Sequence, residues 1–257
     1  RMDSTRLPGK AMLKVCEKPL LEHMVDRVLR SKKIEKIIVA TTTNKIDDVI
    51  VEFCKLKGID YFRGSREDVL GRYKQAADYT EASIIVRLTS DCPLIDPKII
   101  DRGINIYLNN NYDFVSNITP LPRTYPIGMD VEIFSYQILT KTDSQAKKPS
   151  EREHVTFFVR KNPKDYKIFR FDYKENLSNF RLVIDYFEDF EVMRSILEEL
   201  YPKNQNFTLE DIIKWAKQNP KIIKKNQKII SGQGWNKSFE EDKKLGFISH
   251  LSDENYI

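Results

Sequence analysis

The chain has 257 residues, of which 40% are hydrophobic and 32% charged; this composition is typical of a globular protein and excludes a largely disordered one. Its net charge of +5 comes from 43 basic and 38 acidic residues mixed along the sequence, which argues against a nucleic-acid-binding protein. The three cysteines show no metal-ligand pattern, and no apolar stretch approaches the roughly 18 residues of a membrane span. We therefore expect reduced thiols, a cytoplasmic location and no nucleic-acid or membrane partner.

Strand and helix patterns alternate over the first half of the chain. Apolar residues at helical spacing predict helices at residues 19–31, 47–57, 66–79 and 96–109. Short apolar runs predict strands at residues 34–40, 59–62 and 83–88. This alternation predicts an α/β fold with a parallel sheet that helices cover on both faces.

The second half is less regular. Strand patterns occupy residues 112–117, 130–134, 166–173 and 180–184, and helical patterns occupy residues 150–161, 188–201 and 209–218. We expect a single domain over residues 1–220, from which residues 112–175 protrude. The Lys-rich residues 221–257 predict a helical and irregular extension on the surface.

Polar loops follow three predicted strands, at residues 41–44, 89–93 and 185–189. In α/β sheets, ligands bind beyond the carboxyl ends of the strands. Asp91 and Asp185 each come directly after an apolar strand, where two carboxylates can share Mg²⁺ with substrate phosphates. The alternative is that each carboxylate caps a helix or satisfies a turn.

The chain opens with RMDSTRLPGK, in which basic residues are interrupted by turn residues. Gly9 allows a close backbone approach to a ligand, and the guanidinium groups of Arg1 and Arg6 suit phosphate oxygens, as does Lys10 as a point charge. Neither a Walker loop nor a G-x-G-x-x-G motif is present. The alternative is a solvated basic face.

A Ser or Cys hydrolase is poorly supported, because there is no G-x-S-x-G motif and the sequence has only three histidines. His23 lies on the first predicted helix and is expected to be structural or exposed. In the segment SEREHVT, Ser150 and Glu153 are predicted to form a capping box. This leaves Arg152 and His154 as candidates for function.

Five segments, in order over residues 1–190, together match one family. They are residues 1–10, 62–72, 87–96, 150–156 and 183–189. On these segments the chain resembles the cytidylyltransferase family of the spore coat polysaccharide biosynthesis type, which is related to the synthetases of CMP-sialic acid and CMP-3-deoxy-manno-octulosonate. Two features depart from that pattern. Tyr186-Phe187 replaces the usual Thr-Pro, and we expect a short apolar strand upstream of Arg1 that would lie in the middle of the sheet.

The resemblance implies a Rossmann-like, GT-A-like nucleotidyltransferase fold with a mostly parallel mixed sheet. It also implies CTP-dependent transfer to a sugar, expected to be acidic, giving a CMP-sugar and pyrophosphate for cell-surface glycans, in a homodimer. The catalytic residues it implies are Arg1, Arg6 and Lys10, which would hold the β- and γ-phosphates. The nucleotide-binding residues would be Ser4, Arg63, Ser65, Asp68 and Arg87. The sugar site, or a partner subunit's edge, would be formed by Asp130, Arg152 and His154, and Mg²⁺ would be held by Asp91 and Asp185.

Two other functions stay open from the sequence. A glycosyltransferase that uses a nucleotide-sugar donor usually shows a D-x-D metal motif after a strand, and none is present; the nearest approaches are Asp91-Cys-Pro and Asp130-Val-Glu. A non-catalytic nucleotide-binding relative is the second alternative, against which the presence of Lys10, Asp91 and Asp185 argues.

Overall fold

The computed structural model describes residues 1–229 and 232–247. Its strands are β1 (Lys14–Val15), β2 (Lys18–Pro19), β3 (Ile38–Thr42), β4 (Asp60–Gly64), β5 (Ile84–Arg87), β6 (Phe114–Ser116), β7 (Glu132–Ser135) and β8 (Ile168–Arg170). Its α-helices are α1 (Leu20–Val28), α2 (Asp48–Lys57), α3 (Val69–Thr80), α4 (Pro97–Leu108), α5 (Tyr136–Gln145), α6 (Pro149–Glu153), α7 (Phe157–Lys161), α8 (Phe187–Leu200), α9 (Leu209–Gln218), α10 (Pro220–Ile223) and α11 (Gln233–Lys244).

The strands form a mixed arrangement. β3 and β4 are parallel, and a second sheet has the order β5-β7-β6-β8. β7 runs antiparallel to β5 and β6, whereas β6 and β8 are parallel. A small antiparallel hairpin of β1 and β2 precedes α1. The predicted α/β class is confirmed, with β7 as the antiparallel member.

Helices pack on both faces of the larger sheet. On β6, Phe114 belongs to an apolar cluster with residues of α3, α5 and α7, whereas its neighbour Val115 belongs to the larger cluster with α1, α4, α8 and α9. Successive side chains of a strand point to opposite faces, so one strand contributes to both clusters. The larger cluster extends from Val15 to Ile223 and joins the two halves of the sequence.

Several predicted elements are confirmed with their boundaries. α2 ends at Gly58, which adopts the left-handed conformation (φ 64°), and α4 begins after Asp96, whose side chain accepts a hydrogen bond from the backbone N–H of Lys98. His23 is buried and its Nε2 lies 2.8 Å from the carbonyl of Val15, a structural role. Cys16, Cys54 and Cys92 are free thiols.

Two predicted elements of the second half are wrong, and one helix was not predicted. Residues 180–184 form no strand and make a single bridge, between Ile127 and Arg181. Residues 150–161 do not form one helix, because Val155 has a φ of 54° and separates α6 from α7. α5, which follows β7 directly, was not predicted.

A cleft of about 1280 Å³ lies between β3 and β5. Within the described ranges, β3 pairs with β4 alone and β5 with β7 alone. Its lining includes apolar side chains of the two strands, among them Ile38, Ala40 and Val86, and, at the end that we call its mouth, the charged residues Lys10, Asp91 and Asp185. The strand predicted upstream of Arg1 stays a prediction; in the middle of the sheet it would occupy the apolar part of this space, so only the mouth is a candidate for ligand binding.

The C-terminal part consists of two short helical segments where it is described, α10 and α11, and α11 packs on α6. Residues 230–231 and 248–257 of the predicted extension lie outside the described residues. Among those that are described, no helix combines the length and the apolar character that crossing a bilayer requires.

Gly128→Ala should destabilise the protein by about 3 kcal/mol or more. Gly128 has a φ of 98°, and a Cβ atom there would lie 2.4 Å from the backbone carbonyl of Leu182, which cannot move away as a flexible side chain could. Gly58→Ala is the matched control: Gly58 also has positive φ but has nothing within 4 Å of the new Cβ, so we expect a loss of about 1 kcal/mol. Urea unfolding measures both, and equal losses would show that the clash with Leu182 does not determine the cost.

Candidate functional site

The opening segment forms a tight loop that projects Lys10 into the mouth of the cleft. Gly9 has a φ of 73° and its N–H donates to the carbonyl of Met2 at 2.8 Å, after which a short 3-10 helix begins at Lys10. The N–H of Met2 donates to the buried carboxylate of Asp47 at 2.6 Å. The loop is therefore closed on itself and anchored to the start of α2.

Lys10 lies between the two predicted metal-binding carboxylates. Its Nζ is 3.1 Å from Asp91 Oδ2 and 3.0 Å from Asp185 Oδ1. It also donates to the carbonyl of Ile184 at 2.6 Å, and the N–H of Ile184 donates to the carbonyl of Asp91 at 2.9 Å. Residues from three distant parts of the sequence thus converge on one ammonium group.

The charges at this point stabilise one another. Burial alone would raise the pKa of Asp91, but Lys10 and a hydrogen bond from Thr89 lower it to about 2. Burial and the neighbouring Asp91 raise the pKa of Asp185, but Lys10 and Arg6 outweigh them and hold it below its usual value. Burial lowers the pKa of Lys10, but the two carboxylates raise it above its usual value. All three groups are charged at neutral pH.

Asp185 is positioned by residues that the sequence patterns did not single out. The buried Asp189 accepts hydrogen bonds from the N–H groups of Asp185 and Tyr186 at 2.9 and 3.0 Å, and from Arg181 Nε at 2.8 Å. On the other side, Arg6 Nη2 lies 2.8 Å from Asp185 Oδ1. One feature of the sequence could have indicated this role: Asp189 is the third helical residue of α8, a position at which a carboxylate is typical of a capping box.

Asp91 and Asp185 fit a divalent cation that is also bound by phosphate oxygens. Both carboxylates are ionised, and both lie within about 3 Å of the same atom, Lys10 Nζ. Carboxylate oxygens are also the ligands that Mg²⁺ prefers. Across residues 1–229 and 232–247, no group of three or more His, Cys, Asp or Glu side chains could hold a metal by itself. The donor set therefore suits an ion that enters with a substrate and takes its remaining ligands from it.

Arg1 and Ser4 lie at the same mouth as Lys10. Arg1 contacts Asp3 at 3.4 Å and Glu153 at 3.5 Å, so the opening segment touches the segment SEREHVT. The hydroxyl of Ser4 accepts a hydrogen bond from the N–H of Leu7. Both residues therefore line the same cleft as Lys10.

Arg87 faces the cleft but is paired with a buried carboxylate. It forms a salt bridge with Glu132, its register partner on β7, and Glu132 also accepts a hydrogen bond from Thr156 at 2.7 Å. Arg63 points to the β3–α2 connection, where it donates to the carbonyls of Thr42 and Asn44.

The remaining predicted site residues form structural contacts outside the lining of the cleft. Ser65 and Asp68 accept hydrogen bonds at the start of α3, and Arg152 forms a two-point contact with Asp68 at 2.6 and 2.8 Å. Asp130 forms a salt bridge with Arg123. Their nucleotide and sugar roles stay predictions, whereas His154 does line the cleft.

The predicted capping box of Ser150 and Glu153 is wrong. α6 is instead capped through Glu151, whose carboxylate accepts from the N–H groups of Lys147 and Lys148. Ser150 is fully buried and its hydroxyl donates to Asp242 of α11 at 2.5 Å. The prediction failed because the partner of Ser150 lies 92 residues away in the sequence, and a local pattern cannot reveal such a contact.

Comparisons with known proteins give a family match and a similar solved structure. A family model described as cytidylyltransferase matches residues 1–229. A cytidylyltransferase structure from Leptospira borgpetersenii serovar Hardjo-bovis is 41% identical, with a TM-score of 0.83, over 90% of this chain and 95% of that one.

Two curated relatives carry functional names. The spore coat polysaccharide biosynthesis protein SpsF of Bacillus subtilis is 29% identical, over 86% of this chain and 92% of its own length. A 3-deoxy-manno-octulosonate cytidylyltransferase of Trichlorobacter lovleyi is 35% identical over 112 residues, which are 43% of each chain.

Lys10→Met should make the stability of the protein depend differently on pH. In the wild type, the lowered pKa of Asp91 contributes stability that is present above about pH 4 and is lost as the pH falls towards 2. Without the ammonium group, burial raises that pKa, so the variant should lose roughly 2 kcal/mol at pH 7 and progressively less below pH 4. Urea unfolding between pH 2.5 and 7 in EDTA tests this, and a difference that does not change with pH would contradict it.

Proposed function

The chain belongs to the cytidylyltransferase family, and on that premise we propose that this nucleotidyltransferase transfers the cytidylyl group of CTP to a sugar and releases pyrophosphate. The observation that carries the proposal is the position of Lys10, held between Asp91 and Asp185 at the mouth of a cleft. Arg6 binds the same carboxylate of Asp185 at 2.8 Å. This arrangement offers both cations for phosphates and carboxylates for a metal ion.

In the proposed reaction, a hydroxyl oxygen of the sugar forms a bond to the α-phosphorus of CTP. The bond from that phosphorus to the bridging oxygen of the β-phosphate breaks, pyrophosphate leaves with the electron pair, and the hydroxyl proton goes to solvent. Such phosphoryl chemistry depends mainly on positioning and on neutralising charge. Arg1, Arg6 and Lys10 would bind the β- and γ-phosphates and stabilise the departing pyrophosphate.

Mg²⁺ is the cofactor we propose, with Asp91 and Asp185 as its protein ligands. When bound, the ion would neutralise charge on the phosphates and polarise their oxygens. The chain's own contribution is to keep both carboxylates ionised, which the lowered pKa values of Asp91 and Asp185 support. Asp189 holds the backbone of Asp185 and so fixes one ligand in place.

An acidic sugar is the acceptor we propose, as a precursor of cell-surface glycans. The names of two relatives, a spore coat polysaccharide protein and a 3-deoxy-manno-octulosonate cytidylyltransferase, support this class. We further propose a cytoplasmic homodimer, which light scattering after size exclusion would test.

Pyrophosphate release should be measured with each of four nucleoside triphosphates against a panel of acidic and neutral sugars. We expect release with CTP, dependent on Mg²⁺ and on an acidic sugar. Consumption of a nucleotide-sugar donor without pyrophosphate release would favour a glycosyltransferase, and nucleotide binding without turnover would favour a non-catalytic relative.

Lys10→Ala should lower kcat about 10²–10³-fold, the scale of one lost charge contact in the transition state. Lys14→Ala is the matched control, because Lys14 is an exposed lysine four residues further along. Steady-state pyrophosphate release measures both variants. A rate near that of the wild type for Lys10→Ala would remove Lys10 from the mechanism.

Asp185→Asn should abolish Mg²⁺-dependent turnover while the protein stays folded, because the amide cannot supply the anionic ligand but keeps the shape of the side chain. Glu188→Gln, in the exposed first turn of α8, serves as the control. Circular dichroism checks the fold, and a Mg²⁺ titration of turnover checks the function. Full activity of Asp185→Asn at the usual Mg²⁺ concentration would exclude Asp185 as a ligand.

A further inference from the structure

The C-terminal helix α11 is joined to the segment SEREHVT by buried polar contacts. Asp242 of α11 accepts hydrogen bonds from the N–H and the hydroxyl of Ser150, at 3.0 and 2.5 Å. Ser150, Ser238 and Asp242 are almost completely buried. Polar groups at such depth need their partners, so α11 has one specific position on α6.

The side chain of His154 lies flat against Trp235 of α11. The two rings are 3.5 Å apart between centroids and 15° from parallel. Trp235 is itself held by Phe157, whose ring meets it edge-on at 4.8 Å, and by the guanidinium of Arg160 at 5.7 Å. A rigid aromatic surface therefore fixes the plane of the His154 ring.

A second contact fixes which nitrogen of His154 carries the proton. His154 Nε2 lies 3.0 Å from Ser238 Oγ, and Ser238 Oγ donates to the carbonyl of Trp235 at 2.9 Å. Because a hydroxyl has one proton to donate, the bond from Ser238 to the carbonyl of Trp235 implies that Ser238 accepts from Nε2–H. In the neutral ring this leaves Nδ1 as a hydrogen-bond acceptor.

The surroundings of His154 keep its ring neutral. Burial lowers the pKa of His154 well below the usual value, and the nearby cations of Arg87, Arg160 and Arg1 lower it further. Glu153 is the adjacent carboxylate, and it is engaged by Arg1 at 3.5 Å. An imidazole placed among arginines in this way accepts hydrogen bonds and carries no charge.

The backbone after His154 is strained. Val155 is a buried, β-branched residue with a φ of 54°, a conformation that costs such a residue on the order of 1–3 kcal/mol. Strain of this kind persists only where the surrounding structure enforces it; here Val155 packs in a buried apolar cluster with Leu70 and Val159, and Thr156 donates to Glu132. The turn ends α6 at the point where His154 lines the cleft.

α11 also reaches the phosphate end of the cleft. A Cβ atom on Gly234 would lie 3.3 Å from Arg6 Nη1, so the helix backbone passes close to this arginine. Lys237 lines the same cleft as Arg1, Lys10 and Asp185. The helix thus connects His154 with the residues around Lys10.

We propose that Trp235 and Ser238 are positioning residues that hold His154 as a neutral acceptor, through Nδ1, for a hydroxyl group of the sugar. This inference rests on the proposed function. It makes α11 a wall of the acceptor site, where the sequence alone predicted a surface extension. The proposed role of Trp235 and Ser238 is in binding the sugar; the phosphates of CTP are contacted by other residues.

The activity test compares Michaelis constants for the two substrates in the 257-residue protein. Ser238→Ala and Trp235→Leu should each raise KM for the sugar about tenfold or more, the cost of one hydrogen bond to a positioned partner, with KM for CTP within twofold of the wild type. Trp235→Phe should restore most of the affinity for the sugar. Lys244→Ala, at the exposed end of α11, should behave as the wild type.

A measurement independent of turnover separates this inference from the proposed function. The side-chain ¹⁵N shifts of His154, assigned with His154→Gln, should show a neutral Nε2–H tautomer at pH 6, where an unperturbed histidine is mainly charged. Ser238→Ala should lose that single tautomer. A charged His154 at pH 6, an Nδ1–H tautomer, or equal changes in both KM values would overturn the inference. If the wild type released no pyrophosphate with any sugar, the proposed function would fail. The ¹⁵N measurement of the His154 tautomer would then be the test of whether α11 positions His154.

Discussion

The structure depends on the ammonium group of Lys10, which is shared by carboxylates that lie 81 and 175 residues away in the sequence. Two partly buried aspartates at this distance from one cation would repel each other without it, and a buried lysine without them would lose its charge. The opening segment, the loop after β5 and the loop before α8 therefore hold their positions only together. A triphosphate and a metal ion would therefore bind where the positive charges of Lys10 and Arg6 already balance the negative charges of Asp91 and Asp185.

The fold brings these groups together through ordinary features of an α/β protein. The loop after β5 leaves the carboxyl end of a strand, where ligand crevices form, and a backbone hydrogen bond from Ile184 to Asp91 joins it to the second acidic loop. The capping carboxylate of Asp189 then orients Asp185. Beside Arg6, α11 contacts the segment SEREHVT, which Arg1 joins to the opening segment, so both ends of the described chain contribute to one cleft.

Much of this arrangement could be predicted from local patterns. The alternation of strands and helices, the end of α2 at Gly58 and the placing of Asp91 after an apolar strand follow from rules that operate within a few residues. The break between α6 and α7 could not be predicted, because the positive φ of Val155 is imposed by tertiary contacts. The partners of Ser150 and Arg152 lie 92 and 84 residues away, so no spacing rule assigns them.

The most direct measurement is the position of a metal ion in a crystal grown with CTP and Mn²⁺, located by its anomalous scattering. We expect one ion bound by Asp91, Asp185 and phosphate oxygens, with Lys10 and Arg6 against the β- and γ-phosphates. Bound CTP whose phosphates lie away from these side chains, or an ion held elsewhere, would contradict the proposed convergence of cations and carboxylates on one triphosphate.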